Sequence, residues 1–126
     1  PSLPATTLTN YCYAFMFSNC TSLTAAPSLP ATTLADYCYQ YMFNNCTSLT
    51  TAPSLPATTL ATDCYRGMFS NCTSLTAITL YYGGEGSYFN DWVYGISTEG
   101  VLYKAGTQFA SCGNSTYPCT WTQVQI

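Results

Sequence analysis

Residues 53–78 read PSLPATTLATDCYRGMFSNCTSLTAI, and the same unit stands twice before them, at 1–26 and 27–52. Eighteen of the 26 positions are identical in all three copies, in the blocks PSLPATTL, CY, MF and NCTSLT. One unit holds too few apolar residues for a core of its own, so each must stack on its neighbours and bury a shared one. Leu49, Ala52 and Leu55, separated by Thr50, Thr51, Pro53 and Ser54, read as a short extended segment, and the prolines keep it irregular. From Thr58 to Phe69, Leu60, Cys64 and Met68 recur at a spacing of four, which predicts one face of a short helix with Thr58 or Thr59 as its N-cap. Asn71 then turns the chain towards the next strand. The expected fold is an α/β solenoid with one short strand and one short helix per 26-residue coil, the layout of a leucine-rich repeat.

The MFxNCTSLT block followed by a Leu/Pro segment resembles the BspA-type leucine-rich repeats of bacterial surface proteins, over residues 1–78. Two departures stand out: Met16, Met42 and Met68 occupy a place where that family often has Ala, and the CY cysteine is a subgroup feature. The resemblance implies a right-handed solenoid with a strand on its concave side. It also implies an adhesin or surface-displayed binding protein, an analogy at the level of the fold.

Charge excludes more than it identifies. The chain of 126 residues carries five acidic residues (Asp36, Asp63, Glu85, Asp91, Glu99), two basic ones (Arg66, Lys104) and no histidine. That composition leaves no Ser-His-Asp or Cys-His pair, no histidine metal site and no basic patch for phosphate backbones. Glu85, Asp91 and Glu99 fall in the C-terminal third, and nothing in the sequence pairs two of them as a glycosidase requires. No catalysis and no cofactor are expected. A surface of neutral hydroxyls, amides and 12 tyrosines is suited to contact with other molecules and to self-association. No apolar run is long enough to cross a membrane as a helix. The opening at Pro1, inside the repeat pattern, reads as a processed or truncated chain whose first coil exposes its face.

Eight cysteines point to an oxidising, extracellular or cell-surface setting. Cys12, Cys38 and Cys64 form one column of the repeat, and Cys20, Cys46 and Cys72 a second, eight residues further on. Within one helix such a pair would stand about 12 Å apart and could not bond. Two readings therefore stay open: disulfides Cys12–Cys20, Cys38–Cys46 and Cys64–Cys72, or two ladders of buried thiols. Cys112 and Cys119 bracket a loop of turn formers and are expected to form a local disulfide.

After Ile78 the repeat stops. Segment 79–126 reads as a small β-rich cap, with a hairpin formed by Trp92–Ile96 and Val101–Lys104 around Ser97–Gly100, and a strand signal at Trp121–Ile126. Variation among the copies falls mainly at Thr9-Asn10-Tyr11 and Ala14-Phe15 and their equivalents Ala35-Asp36-Tyr37, Gln40-Tyr41, Ala61-Thr62-Asp63 and Arg66-Gly67. Among these Tyr11, Phe15, Tyr37, Tyr41 and Arg66 are the candidate contact residues for a protein or glycan, against ordinary drift at solvated positions. Asn19, Asn45, Asn71 and Asn114 each open an Asn-x-Ser/Thr pattern; the first three are also turn residues, and Asn114 is the candidate glycosylation site. The expected function is an extracellular adhesion or recognition module. The alternative is a structural subunit that polymerises through the open face of its first repeat, a heterologous contact that propagates.

Overall fold

The computed structural model describes residues 6–84, 88–106 and 121–126. Successive repeats lie in parallel, in register. Thr7 bridges Thr33, Thr33 bridges Thr59, Ala25 bridges Thr51, and Leu55 bridges Leu80. Three strands follow: β1 (Ala77–Leu80), β2 (Val101–Lys104) and β3 (Thr122–Gln125). They form one parallel sheet in the order β1-β2-β3, with Ala77 opposite Val101 and Val101 opposite Thr122.

Among the described residues there is no helix, and this corrects the α/β reading. The stretch expected to be helical is instead a ribbon of overlapping β-turns. In the first copy Cys12, Ala14, Met16, Ser18 and Cys20 each donate their N–H to the carbonyl three residues back, at 3.0–3.2 Å. Every fourth residue is left-handed: Tyr11, Phe15 and Asn19, then Tyr37, Tyr41 and Asn45, then Asp63, Gly67 and Asn71. The alternate N–H groups leave the coil. Tyr11, Tyr13, Phe15, Phe17 and Asn19 donate to the carbonyls of Asp36, Cys38, Gln40, Met42 and Asn44 at 2.7–3.1 Å. A helix would bond its amides within itself, whereas this ribbon leaves every second amide for the neighbouring coil. The stack is thereby tied by backbone as well as by side chains.

A ribbon that repeats every four residues turns two side chains inwards and two outwards. Cys38 and Tyr39, Met42 and Phe43, and Cys46 are buried, as are Cys64, Tyr65, Met68, Phe69 and Cys72 one coil on. Like residues then stack on like. Phe17, Phe43 and Phe69 form one aromatic column with ring centroids 5.5 and 5.8 Å apart, and Tyr13, Tyr39, Tyr65 and Phe89 form another at 5.6–6.1 Å. The Tyr65 hydroxyl is fully buried in this column without a hydrogen-bond partner.

The C-terminal segment corrects a second expectation. Trp92 and Val93 lie in the turn ribbon, and Val101–Lys104 pairs in parallel with β1 and β3 instead of closing a hairpin. Tyr65, Gly67, Phe69 and Asn71 donate to the carbonyls of Tyr88, Asn90, Trp92 and Tyr94, so residues 88–95 continue the ribbon as a fourth coil. Left-handed Asp91 and Gly95 repeat its four-residue spacing, while Phe89, Trp92 and Val93 fill the interior. The Trp121 ring lies against Gly100, where a Cβ would meet both the ring and the Thr76 carbonyl. Its Nε1 donates to the Ser97 carbonyl at 2.7 Å.

The cysteines decide between the two readings left open. Cys12, Cys20, Cys38, Cys46, Cys64 and Cys72 are all free thiols, and the three intra-repeat disulfides do not form. Eight residues is two periods of the ribbon, so the two cysteines of a coil stand at different places along it, buried in the second and third copies while Cys12 is exposed and Cys20 half-buried. The Cys46 thiol donates to the Phe17 carbonyl and the Cys72 thiol to the Phe43 carbonyl, each at 3.1 Å. The proposed Cys112–Cys119 bridge lies outside the described residues.

Candidate functional site: an aromatic row on the turn ribbon

The outward positions of the ribbon carry the residues singled out as contacts. Tyr11 and Phe15 are 57% and 54% exposed, and both hold left-handed backbone that bulky side chains rarely adopt. Such strain costs of order 1 kcal/mol per residue and persists only where the surroundings impose it. Here the inter-coil amide bonds impose it, and ring stacking offsets part of it. Tyr11 lies 4.8 Å from Tyr37 with the rings 4° from parallel, and Phe15 lies 5.2 Å from Tyr41 at 19°. Offset stacks of this kind contribute about 0.5–1.5 kcal/mol each.

The row ends at the third repeat, where Asp63 and Gly67 stand in the places of the rings. The Tyr41 ring occupies the space a side chain at Gly67 would need. Gly67→Ala is therefore expected to destabilise the fold by about 2 kcal/mol, from the left-handed φ together with displacement of Tyr41. Thermal melting of the variant alone and with Tyr41→Ala measures this. If the second change recovers none of the loss, the ring does not rest on Gly67.

Arg66 is half-buried beside Gly67 in the chain. Its N–H donates to the Asp63 carbonyl at 3.1 Å, and its Nε is enclosed without a partner. The structure thus brings together Tyr11 with Tyr37 and Phe15 with Tyr41, and places Arg66 at the end of that row without a ring contact of its own. Asn114 lies outside the described residues.

Polar ladders frame the row. Asn10 accepts from the Asp36 N–H and Asp36 from the Thr62 N–H, both at 3.1 Å, while Asp63 accepts from Asn90 Nδ2 at 3.1 Å. Asn45 Nδ2 donates to Asn19 Oδ1 at 2.8 Å, and the Asn71 amide lies over Gly95. The Asn-Cys-Thr positions therefore serve left-handed turns, and the Asn45 amide is committed to its neighbour. Two of the five carboxylates, those of Asp36 and Asp63, are committed to holding adjacent coils.

Sequence comparison of the copies located the outward positions but not their pairing, because stacking joins residues of different coils. It also passed over Tyr81 and Tyr103, which lie after the exact repeat ends and are exposed on the sheet side. Tyr81 directly follows β1, and Tyr103 in β2 alternates with buried Leu102 and Lys104, a period-two signal that could have found it. Comparison of the chain with protein-family models, curated proteins and solved structures gave no match, so the likeness to BspA-type repeats rests on the FxxCTSL motif alone.

Proposed function

We propose that this chain is a recognition module, acting by surface contact and without catalysis, that presents its aromatic row to a protein or glycan. The observation that carries the reading is the pair of stacks Tyr11–Tyr37 and Phe15–Tyr41, which sets four rings on a backbone bonded coil to coil. Rigid aromatic rings with polar tips give large contact area at little loss of conformational freedom. Sparse charge favours neutral partners over nucleic acid or anionic lipid.

An extracellular or cell-surface setting belongs to the same proposal. Free thiols withdraw the disulfide argument for it, and what they leave is compatibility with such a setting. Burial pushes Cys38, Cys64 and Cys72 up to about 12 and Cys46 to about 11, which removes nearly all thiolate at neutral pH. Such thiols resist oxidation even where disulfides are the rule.

Binding of the purified chain to intact cells, with and without prior deglycosylation or protease treatment, tests the reading. The double variant Tyr11→Ala, Phe15→Ala is expected to bind at least about tenfold more weakly, a loss near 1.4 kcal/mol. Loss of the two stacks is expected to lower its melting temperature by several degrees, so binding is compared well below the melting temperature of both proteins. Equal binding by parent and variant would remove the row as the contact surface. A filament-forming subunit is the second reading, drawn from the nearly neutral, tyrosine-rich surface. Long uniform fibres in negative-stain images would favour it.

A further inference from the structure

A second concave surface lies on the strand side of the coils, built from residues the aromatic row does not use. Thr79, Tyr81, Tyr103, Ala105 and Ile126 line a groove of about 470 Å³ over the outer face of the sheet. Its shape follows from register. Thr79, Tyr103 and Val124 stand side by side across β1, β2 and β3. One row further on, the Ala105 N–H donates to the Leu80 carbonyl and the Ile126 N–H to the Lys104 carbonyl, both at 3.0 Å, which aligns Tyr81, Ala105 and Ile126. Large and small side chains thus alternate like a chequerboard. Thr79 and Ala105 form a floor, and the two tyrosines and Ile126 rise around it.

We propose that this groove is a binding site for a neutral sugar ring. None of the five lining side chains is charged. The neighbouring cation, Lys104, is turned inwards and fully buried, with its Nζ donating to the carbonyls of Tyr82 and Ala105 at 3.2 and 3.3 Å. A carboxylate or phosphate would find no counter-charge here, on a chain whose net charge is already −3. Among the described residues, no carboxylate side chain lines it for a cation. A sugar ring matches what is present: its C–H face packs on phenol rings, and its hydroxyls meet those of Thr79, Tyr81 and Tyr103. The groove is small enough to select a ring or two rather than a protein surface. Tyr81 and Tyr103 are exposed, so their rings need no opening step.

The site depends on the recognition reading only in that both require surface contact, and separate variants distinguish them. The whole chain is titrated with glucose, N-acetylglucosamine and their β-linked disaccharides by saturation-transfer NMR and calorimetry, with glucuronate as the charged comparison. Binding of at least one neutral sugar is expected, with a dissociation constant near ~1 mM. Tyr81→Ala, and Ala105→Leu, which fills the floor, should each weaken it at least tenfold with melting curves unchanged. Tyr11→Ala should leave it unchanged, whatever that variant does to cell binding. The proposal is overturned if no neutral sugar binds at ~10 mM, if Ala105→Leu binds as the parent does, or if glucuronate binds more tightly than every neutral sugar.

Discussion

Raising the pH from 9 towards 12 is expected to unfold this chain, although it has few charges to disturb at neutral pH. Burial is the largest cause lifting Cys38, Cys64 and Cys72 from the ordinary value of 9.0 to about 12, and Cys46 to about 11. Tyr39 and Tyr65 are raised as well, again chiefly by burial. In each case the folded state holds the proton more tightly than the unfolded chain. The stabilisation is complete below pH 9, where thiols are protonated in both states. It declines as the unfolded chain ionises, and is lost as pH passes the folded values near 11 and 12. Each such thiol contributes a slope of about 1.4 kcal/mol per pH unit within that window. Together the four remove on the order of 10 kcal/mol by pH 12, comparable with the 5–15 kcal/mol margin typical of a domain. Melting temperature measured from pH 6 to 12 should be flat to pH 8 and then fall steeply, and Cys64→Ala should show a shallower fall. A melting temperature unchanged at pH 11 would contradict the buried-thiol ladders, as would an onset well below pH 8.

The same ladders explain what could be read from the sequence and what could not. The 26-residue period was legible because identity across copies survives any local conformation, and in-register stacking follows from it. Conformation within the unit was misread because Leu60, Cys64 and Met68 satisfy both a helix face and a four-residue turn ribbon. The distinction was present in the numbers. Each step of four overshoots a helical turn by about 40°, so from Leu60 to Cys72 a helical stripe would drift by about 120°. The spacing here stays at four without correction. Asp63, Gly67 and Asn71 in the third copy are turn formers at that spacing. In the first two copies Tyr11, Phe15, Tyr37 and Tyr41 stand in those left-handed places and hide the signal. The fourth coil was hidden more completely. It shares no motif with the others, and only Asp91 and Gly95, with Phe89, Trp92 and Val93 between and around them, keep the pattern of two in and two out. Of the site, the exposed aromatic positions were legible. The stacks were not, since they depend on which coil lies over which.

Truncating one methionine column position by position measures how that stack is covered. Met16, Met42 and Met68 occupy equivalent places in identical MF motifs, so propensity and local sequence are matched. Met16 is 50% exposed, while Met42 and Met68 are 0% exposed. Met42→Ala should destabilise by about 3 kcal/mol, combining lost burial with the cavity left at a fully buried site. Met68→Ala should cost about the same, ~3 kcal/mol. Met16→Ala leaves a side chain's worth of space at an open face and should cost less than about 1 kcal/mol. Urea unfolding of the three variants at two protein concentrations decides the matter. Three equal losses that do not depend on concentration would mean that the first coil is covered within the chain itself. A Met16 loss that grows with concentration would mean that a second copy supplies the cover, and would move the weight of the functional reading from recognition to assembly. A small Met16 loss at both concentrations would mean that no second copy covers this coil, which leaves the weight on recognition through Tyr11 and Phe15.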